Sequence, residues 1–381
     1  MSSALSARLL LLISLACVLH AAPLPDTATL SLDEKIGQLL MTRLHATEPN
    51  EEAVELIQRL HVGSIVYYQY ENGLSDVDQI RTLSAGLQKL AMESSHIPLI
   101  LAADQEGGRV VRLPLAPGEL PTPSAKELGQ GENEAEIRSW GVRTGRALRS
   151  VGINMNLAPV VDVARNDPDA YISDRSFSSD PSKVTRYALH MLQGLREASV
   201  LTCLKHYPGH GSATVDSHLG LPVLQQSWEA LVERDLRPFR SLIPEANAIM
   251  TGHLLVPALD PAACSTLSAP TLRYLREDLG FKGVILADSL HMRGVLDQAG
   301  SIETAATRAF QAGCDLLILG GQIIDSGKPC SLSIEDIARV HAALKLAVES
   351  GVISTERLDA SVQRLLDLKA KLVGSAGPHE S

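Results

Sequence analysis

The chain has 381 residues, with 34 Lys and Arg against 44 Asp and Glu, a formal net charge of −10, and 45% hydrophobic but only 3% aromatic residues. That length can hold one large domain with a sizeable core. An acidic chain with no basic block is not built for nucleic acid, since phosphate affinity needs clustered Lys and Arg, and so few aromatics argue against a wide stacking platform for long polysaccharides.

Taken in chain order, Arg8 precedes an apolar run over residues 9–19, followed by His20-Ala21-Ala22-Pro23. A basic start, a short apolar run and small residues predict a signal peptide over 1–22, since the run is too short for a comfortable membrane span. The mature protein is then expected to be secreted or to lie in the periplasm or cell envelope, with no membrane span of its own. Cys17 would offer a lipoprotein anchor, but Ser14 stands where that pattern wants Leu. Residues 23–30 read as a polar linker, and Ser31 with Glu34 three residues on reads as a capping box opening the first helix. Beyond it, eight apolar runs (37–43, 63–68, 98–103, 153–158, 201–206, 248–253, 283–287 and 315–319) alternate with amphipathic stretches such as 133–151, 184–198, 228–241 and 304–312. Eight strands alternating with helices predict an α/β fold, a (β/α)₈ TIM-like barrel forming a single domain over 31–373. The rival, an open doubly wound sheet, lacks a Gly-rich loop after its first strand. Residues 334–372 read as helical, and 374–381 as a disordered tail. Cys203 and Cys314 sit in apolar runs and should be buried and inert. Cys264 and Cys330 lie in loop-like stretches, where a disulfide is open but its geometry is not readable.

Several apolar runs end abruptly in a polar residue: Asp104, Lys205-His206, His253 and Asp288. In a closed parallel barrel these would converge on the C-terminal rim, where the active sites of such barrels lie. Each also has a plainer reading. Asp104 and Asp288 could cap the turns that follow, and His253 could be a hydrogen-bonded core residue. The stretch 205–218, Lys-His-Tyr-Pro-Gly-His-Gly-Ser-Ala-Thr-Val-Asp-Ser-His, is the most unusual in the chain. A His two residues from an Asp can form a carboxylate–imidazole pair, in which the carboxylate favours the protonated ring and keeps it available as a general acid. Its spacing matches no standard metal-ligand pattern, and neither metal nor cofactor is expected.

These residues carry a resemblance. The motif Lys205-His206-Tyr207-Pro208-Gly209-His210-Gly211, four residues, then Asp216-Ser217-His218 resembles glycoside hydrolase family 3, in particular its single-domain bacterial β-N-acetylglucosaminidases that act on peptidoglycan fragments. The motifs Asp104-Gln105-Glu106-Gly107-Gly108-Arg109, Asn156 to Asp162, Asp174-Arg175-Ser176-Phe177-Ser178 and Ala287-Asp288-Ser289-Leu290 extend the similarity over nearly all of the mature chain. The resemblance implies Asp288 as nucleophile, His218 as acid/base paired with Asp216, and Asp104, Arg112, Arg175, Lys205 and His206 as ligands of the terminal sugar. It implies a small N-acetylglucosamine-containing glycan as substrate. Phosphorolysis, a β-glucosidase on the same scaffold, and a noncatalytic envelope sugar-binding protein are the alternatives; the last is disfavoured by intact Asp288, Asp216 and His218.

Overall fold

The computed structural model describes residues 23–74, 76–113, 121–165, 172–213, 217, 220–321, 323–325 and 328–373. The expected signal peptide with Cys17, the expected tail, and both Asp216 and His218 lie outside the described residues.

Eight short strands close into one parallel barrel in chain order. They are β1 (Leu40–Thr42), β2 (Ser64–Tyr67), β3 (Ile100–Ala103), β4 (Met155–Asn156), β5 (Leu201–Tyr207), β6 (Ala248–Thr251), β7 (Val284–Ala287) and β8 (Leu316–Leu319). Closure is made by β1 on β8, with Leu40 opposite Leu317 and Thr42 opposite Leu319. Every residue of these eight strands is buried. One face fills the barrel and the other meets the helices, which is why the strands read as continuous apolar runs and not as alternating ones. A small antiparallel ribbon, β9 (Ile323–Asp325) with β10 (Lys328–Cys330), follows the barrel.

The helices begin where short polar side chains can take up free backbone donors. Ser31 and Glu34 form the expected capping box, Asn133 caps Glu134–Ser150, and Asp180 followed by Pro181 opens Pro181–Glu197. The last two helices cross at a very short distance. A Cβ at Gly194 would lie 2.2 Å from the Arg138 carbonyl oxygen, so only glycine permits that approach. The C-terminal helical region is broken near Gly351, which takes a left-handed φ of 75°. It therefore forms two helices, Ile334–Glu349 and Thr355–Val373.

Residues 23–30 are not a free linker. Asp26 caps a short 3-10 turn over Thr27–Thr29. The Thr27 hydroxyl donates to Gln363 Oε1 at 2.8 Å, and Leu30 is buried in the core. Two anchors in a polar stretch suffice to order it, and the polar composition hid them. All four described cysteines are free: Cys203, Cys264 and Cys314 are buried and Cys330 is exposed. The open pairing of Cys264 with Cys330 is thus not made, because one thiol is enclosed and the other faces solvent. Among the described residues no helix is long and apolar enough to cross a membrane.

Candidate active site

The C-terminal strand ends converge on a cavity of about 310 Å³. Asp104 follows β3, Lys205 and His206 belong to β5, Asp288 follows β7, and Arg112 and Arg175 come from the loops after β3 and β4. All six line this one space, together with Tyr68, Tyr70, Glu106, Met250 and Met292. Six of the eight residues to which the resemblance gives a role are therefore brought together; the other two, Asp216 and His218, are outside the described residues.

The wall is an interlocked set of charges. Lys205 Nζ donates to Asp104 Oδ1 at 2.7 Å and lies 2.6 Å from Glu106 Oε1. Arg175 grips Glu106 through two parallel bonds, Nε to Oε2 and Nη2 to Oε1, each 2.8 Å. Such bidentate geometry fixes the guanidinium plane as well as its position. Burial opposes ionisation of Glu106, but Arg175 and Lys205 outweigh it and hold the carboxyl well below the usual range. Burial likewise opposes charge on Lys205, and Asp104 with Glu106 overcomes it and raises the ammonium's pKa. Both cations therefore stay charged and aimed at the cavity. Arg112 Nη2 stands 3.6 Å from Asp104 Oδ2, and the buried Arg112 Nε has no partner among the described residues.

Below this layer, Asp162 organises the turn that carries His206 and His210. Its Oδ2 lies 2.7 Å from His206 Nδ1, and its Oδ1 accepts the backbone N–H of His206 at 3.1 Å and of His210 at 2.7 Å. With Nδ1–H given to Asp162, His206 Nε2 presents a lone pair to Arg175 Nη2 at 3.4 Å. Burial, reinforced by the neighbouring His206, lowers the His210 pKa to about 4. His210 is therefore neutral near pH 7, and its Nε2 meets the Ser217 hydroxyl at 3.1 Å. That contact ties the first half of the 205–218 stretch to the residue between Asp216 and His218.

Asp288 Oδ1 accepts the Ser289 backbone N–H at 2.7 Å. The turn is braced from beneath by His253, whose Nε2 donates to the Ser289 carbonyl at 2.8 Å while Nδ1 meets Thr266 Oγ1 at 2.8 Å. His253 is fully buried and does not line the cavity. Its plainer reading, a hydrogen-bonded core residue, is the one observed. The capping reading of Asp104 gives way to its pairing with Lys205.

Glu106, Asp162 and Tyr68 were not singled out from sequence. Glu106 carried a usable signal, since it lies two residues past the strand-end Asp104 in a glycine-rich turn. Asp162 sits within an apolar run and gave none beyond its motif. Tyr68 follows β2 and shows only as an aromatic; burial first, then the nearby Asp104, pushes its phenol up, so it stays protonated. Among the described residues no group of three His, Cys, Asp or Glu side chains could hold a metal ion.

This barrel, with its charged rim, has known counterparts. Residues 31–368 match the N-terminal domain of glycosyl hydrolase family 3. The chain belongs to that family. The β-hexosaminidase LpqI of Mycobacterium tuberculosis is 33% identical over 355 residues, covering 92% of this chain and 85% of the relative. Its solved structure matches with a TM-score of 0.79 at 32% identity, over 94% of this chain and 98% of that one. A family 3 β-N-acetylglucosaminidase from Paenibacillus sp. str. FPU-7 gives a TM-score of 0.85 at 36% identity, over 92% of this chain and 64% of that chain. This chain thus spans just under two thirds of the Paenibacillus protein but most of LpqI. The protein is a glycoside hydrolase with a (β/α)₈ catalytic barrel.

Proposed function

We propose that the enzyme is a retaining exo-β-N-acetylglucosaminidase that removes terminal N-acetylglucosamine from small glycans, with peptidoglycan fragments as the natural substrate class. The β-hexosaminidase relatives support the sugar, and a compact cavity of about 310 Å³ suits one terminal ring better than an open groove suits a polymer. The carrying observation is the position of Asp288: a carboxylate at a braced strand end, facing Asp104, Arg175 and Lys205 across one cavity. A nucleophile must be held firmly, because attack tolerates little positional error. In this reading Asp104 accepts from the hydroxyls of the bound sugar, while Arg112, Arg175 and Lys205 donate to its oxygens. His206 packs beside them.

The chemistry runs in two steps. An Asp288 oxygen attacks the anomeric carbon as the glycosidic bond breaks, and the leaving oxygen takes the proton of the His218 imidazolium. The neutral His218 then removes a proton from water, which attacks the glycosyl ester, frees Asp288 and restores the imidazolium. Asp216 supports the charged ring in both directions. The basic-then-apolar start of the chain supports export to the envelope or beyond.

The test is turnover of a chromogenic β-N-acetylglucosaminide beside the matching β-glucoside, with and without phosphate. The expected result is free N-acetylglucosamine, little glucosidase activity, and no sugar 1-phosphate. Preference for the glucoside, or sugar 1-phosphate as the main product, would overturn the reading.

A further inference from the structure

At the opposite end of the strands from Asp104 and Asp288, the barrel floor holds another cavity, of about 290 Å³. Four arginines line it: Arg273 and Arg276, on the helical segment that begins at Ala269, and Arg357 and Arg364 on Thr355–Val373. A single buried carboxylate, Asp315 at the foot of β8, serves three of them. Its Oδ2 accepts from Arg276 Nη2 at 2.6 Å and from the Ile285 backbone N–H at 3.0 Å. Its Oδ1 accepts from the Ser361 hydroxyl at 2.6 Å, Arg364 Nη1 at 3.0 Å and Arg357 Nη1 at 3.3 Å. With five donors against a carboxylate's roughly four lone-pair sites, Asp315 has no accepting capacity left. Asp315 lies behind the lining; the acid of the lining itself, Glu277, is exposed, as is Arg273. Four guanidinium groups against two carboxylates leave an excess of two positive charges around one small cavity, in a protein whose net charge is −10.

The four arginines divide into two kinds. Arg276 Nη1 is engaged by the Phe281 and Gly283 carbonyls, and Arg357 Nη2 by those of Phe310 and Cys314. These two hold the floor together. Burial, partly offset by Asp315 and aggravated by the neighbouring arginines, lowers the pKa of both. Arg364 keeps Nε and Nη2 without a hydrogen bond among the described residues, and the Arg273 side chain makes neither a hydrogen bond nor an ion pair among them. Clamping the last helix to the floor accounts for Arg276, Arg357 and one edge of Arg364. It does not account for Arg273 or for the free edge of Arg364, which line the same cavity. Guanidinium groups with open, planar donor edges match phosphoryl oxygens.

We propose that this floor cavity binds a phosphoryl dianion, free phosphate or a phosphomonoester, held by Arg273 and Arg364 and stabilised by the charge of Arg276 and Arg357. The two excess positive charges equal the charge of the ligand. The site is separate from the sugar cavity and does not depend on the glycosidase reading.

The experiment is a thermal-unfolding titration of the whole chain with inorganic phosphate, with glycerol phosphate, and with potassium chloride at matched ionic strength. A ligand that binds only the folded protein stabilises it by RT ln(1 + [L]/Kd), so the melting temperature climbs with the logarithm of ligand concentration once that exceeds Kd. The expected result is such a logarithmic rise with phosphate, with the ester or with both, but not with chloride. Response to phosphate alone assigns the free ion; response to the ester assigns a phosphorylated molecule as well. Arg273→Gln, which breaks no bond of the folded chain, should weaken the apparent affinity at least tenfold, as should Arg364→Gln. Arg112→Gln, in the sugar cavity, should leave it unchanged. A rise no larger than that with chloride, a full response in Arg273→Gln, or its loss in Arg112→Gln would each overturn the proposal.

Discussion

Replacing Glu106 by Gln tests how the sugar cavity is held together. The substitution keeps the shape and removes one negative charge from a side chain only 6% exposed. Arg175 loses the charge behind two bonds of 2.8 Å. Lys205 loses its contact at 2.6 Å and keeps only Asp104 at 2.7 Å. Removing one partner of a buried ion pair costs about 3–5 kcal/mol. The amide oxygen can still accept one bond, so the lower end, ~3 kcal/mol, applies. Unfolding entropy of about 2.1 cal/mol/K per residue over roughly 340 ordered residues gives ~0.7 kcal/mol/K, so the melting temperature should fall by about 4 °C. The pH dependence has a definite sign. The folded pKa of Glu106 lies below the ordinary glutamate value of 4.5, so its contribution is fully present above that value and is lost as pH falls through the lower folded pKa. The gap between wild type and variant should hold from neutral pH down to about 4.5 and close below it. With Arg175 and Lys205 no longer fixed, kcat/KM should drop at least ~10-fold, the effect of about 1.4 kcal/mol of lost transition-state positioning. Calorimetry across this pH range and steady-state kinetics on a chromogenic substrate measure both. A variant melting within about 1 °C of wild type with unchanged kcat/KM would refute the account of the charged wall.

Three further outcomes are expected. His218→Ala should lower turnover by about 10²–10⁴-fold on substrates with poor leaving groups, and less on activated phenols that need little protonation; equal loss on both would make His218 a binding residue. His210, with its pKa lowered to about 4 from 6.5, is neutral when folded and protonated when unfolded between those values, so it makes stability fall as pH drops from about 6.5 towards 4. His210→Gln should flatten that loss in denaturant melts without reproducing the leaving-group dependence, and an unchanged slope would count against the buried neutral ring. Lys369 is fully buried, donates to Gln38 Oε1 at 2.7 Å and the Gly63 carbonyl at 2.8 Å, and has its pKa lowered to about 7 by burial. It should therefore make stability rise as pH climbs from about 7 towards 10.5, a rise that Lys369→Met should remove; identical pH profiles for the two proteins would contradict this.

The barrel was legible because strands buried on both faces leave unbroken apolar runs; seven of the eight runs contain their strand, and β5 reaches one residue past its run, to Tyr207. The rim was legible for a related reason. Asp104, His206 and Asp288 interrupt apolar sequence at strand ends, where a charge has no place unless the end opens on a cavity. Periodicity could not separate His253 from these, because a histidine bracing the Asp288–Ser289 turn from inside ends its run in the same way. Nor could sequence show that Glu106 stands between Arg175 and Lys205: that triad joins the ends of three chain segments and exists only once the barrel closes. The packed start at Thr27 and Leu30 was hidden for the same reason, since its partner Gln363 lies on the last helix. The floor arginines are scattered from 273 to 364 and form no motif, so their shared carboxylate is visible only in three dimensions.

The central claim is that Asp288 forms the covalent bond to the sugar. Incubation with a fluorinated N-acetylglucosaminyl fluoride, followed by intact-mass measurement and peptide mapping, tests it most directly. The ring fluorine slows both steps, and the fluoride leaving group keeps the first one fast, so the glycosyl ester should accumulate. The account predicts one added sugar per chain, carried by the peptide containing Asp288 and absent in Asp288→Asn. A label on Asp104, Glu106 or Asp216, or an Asp288→Asn variant that still turns over at the wild-type rate, would contradict it.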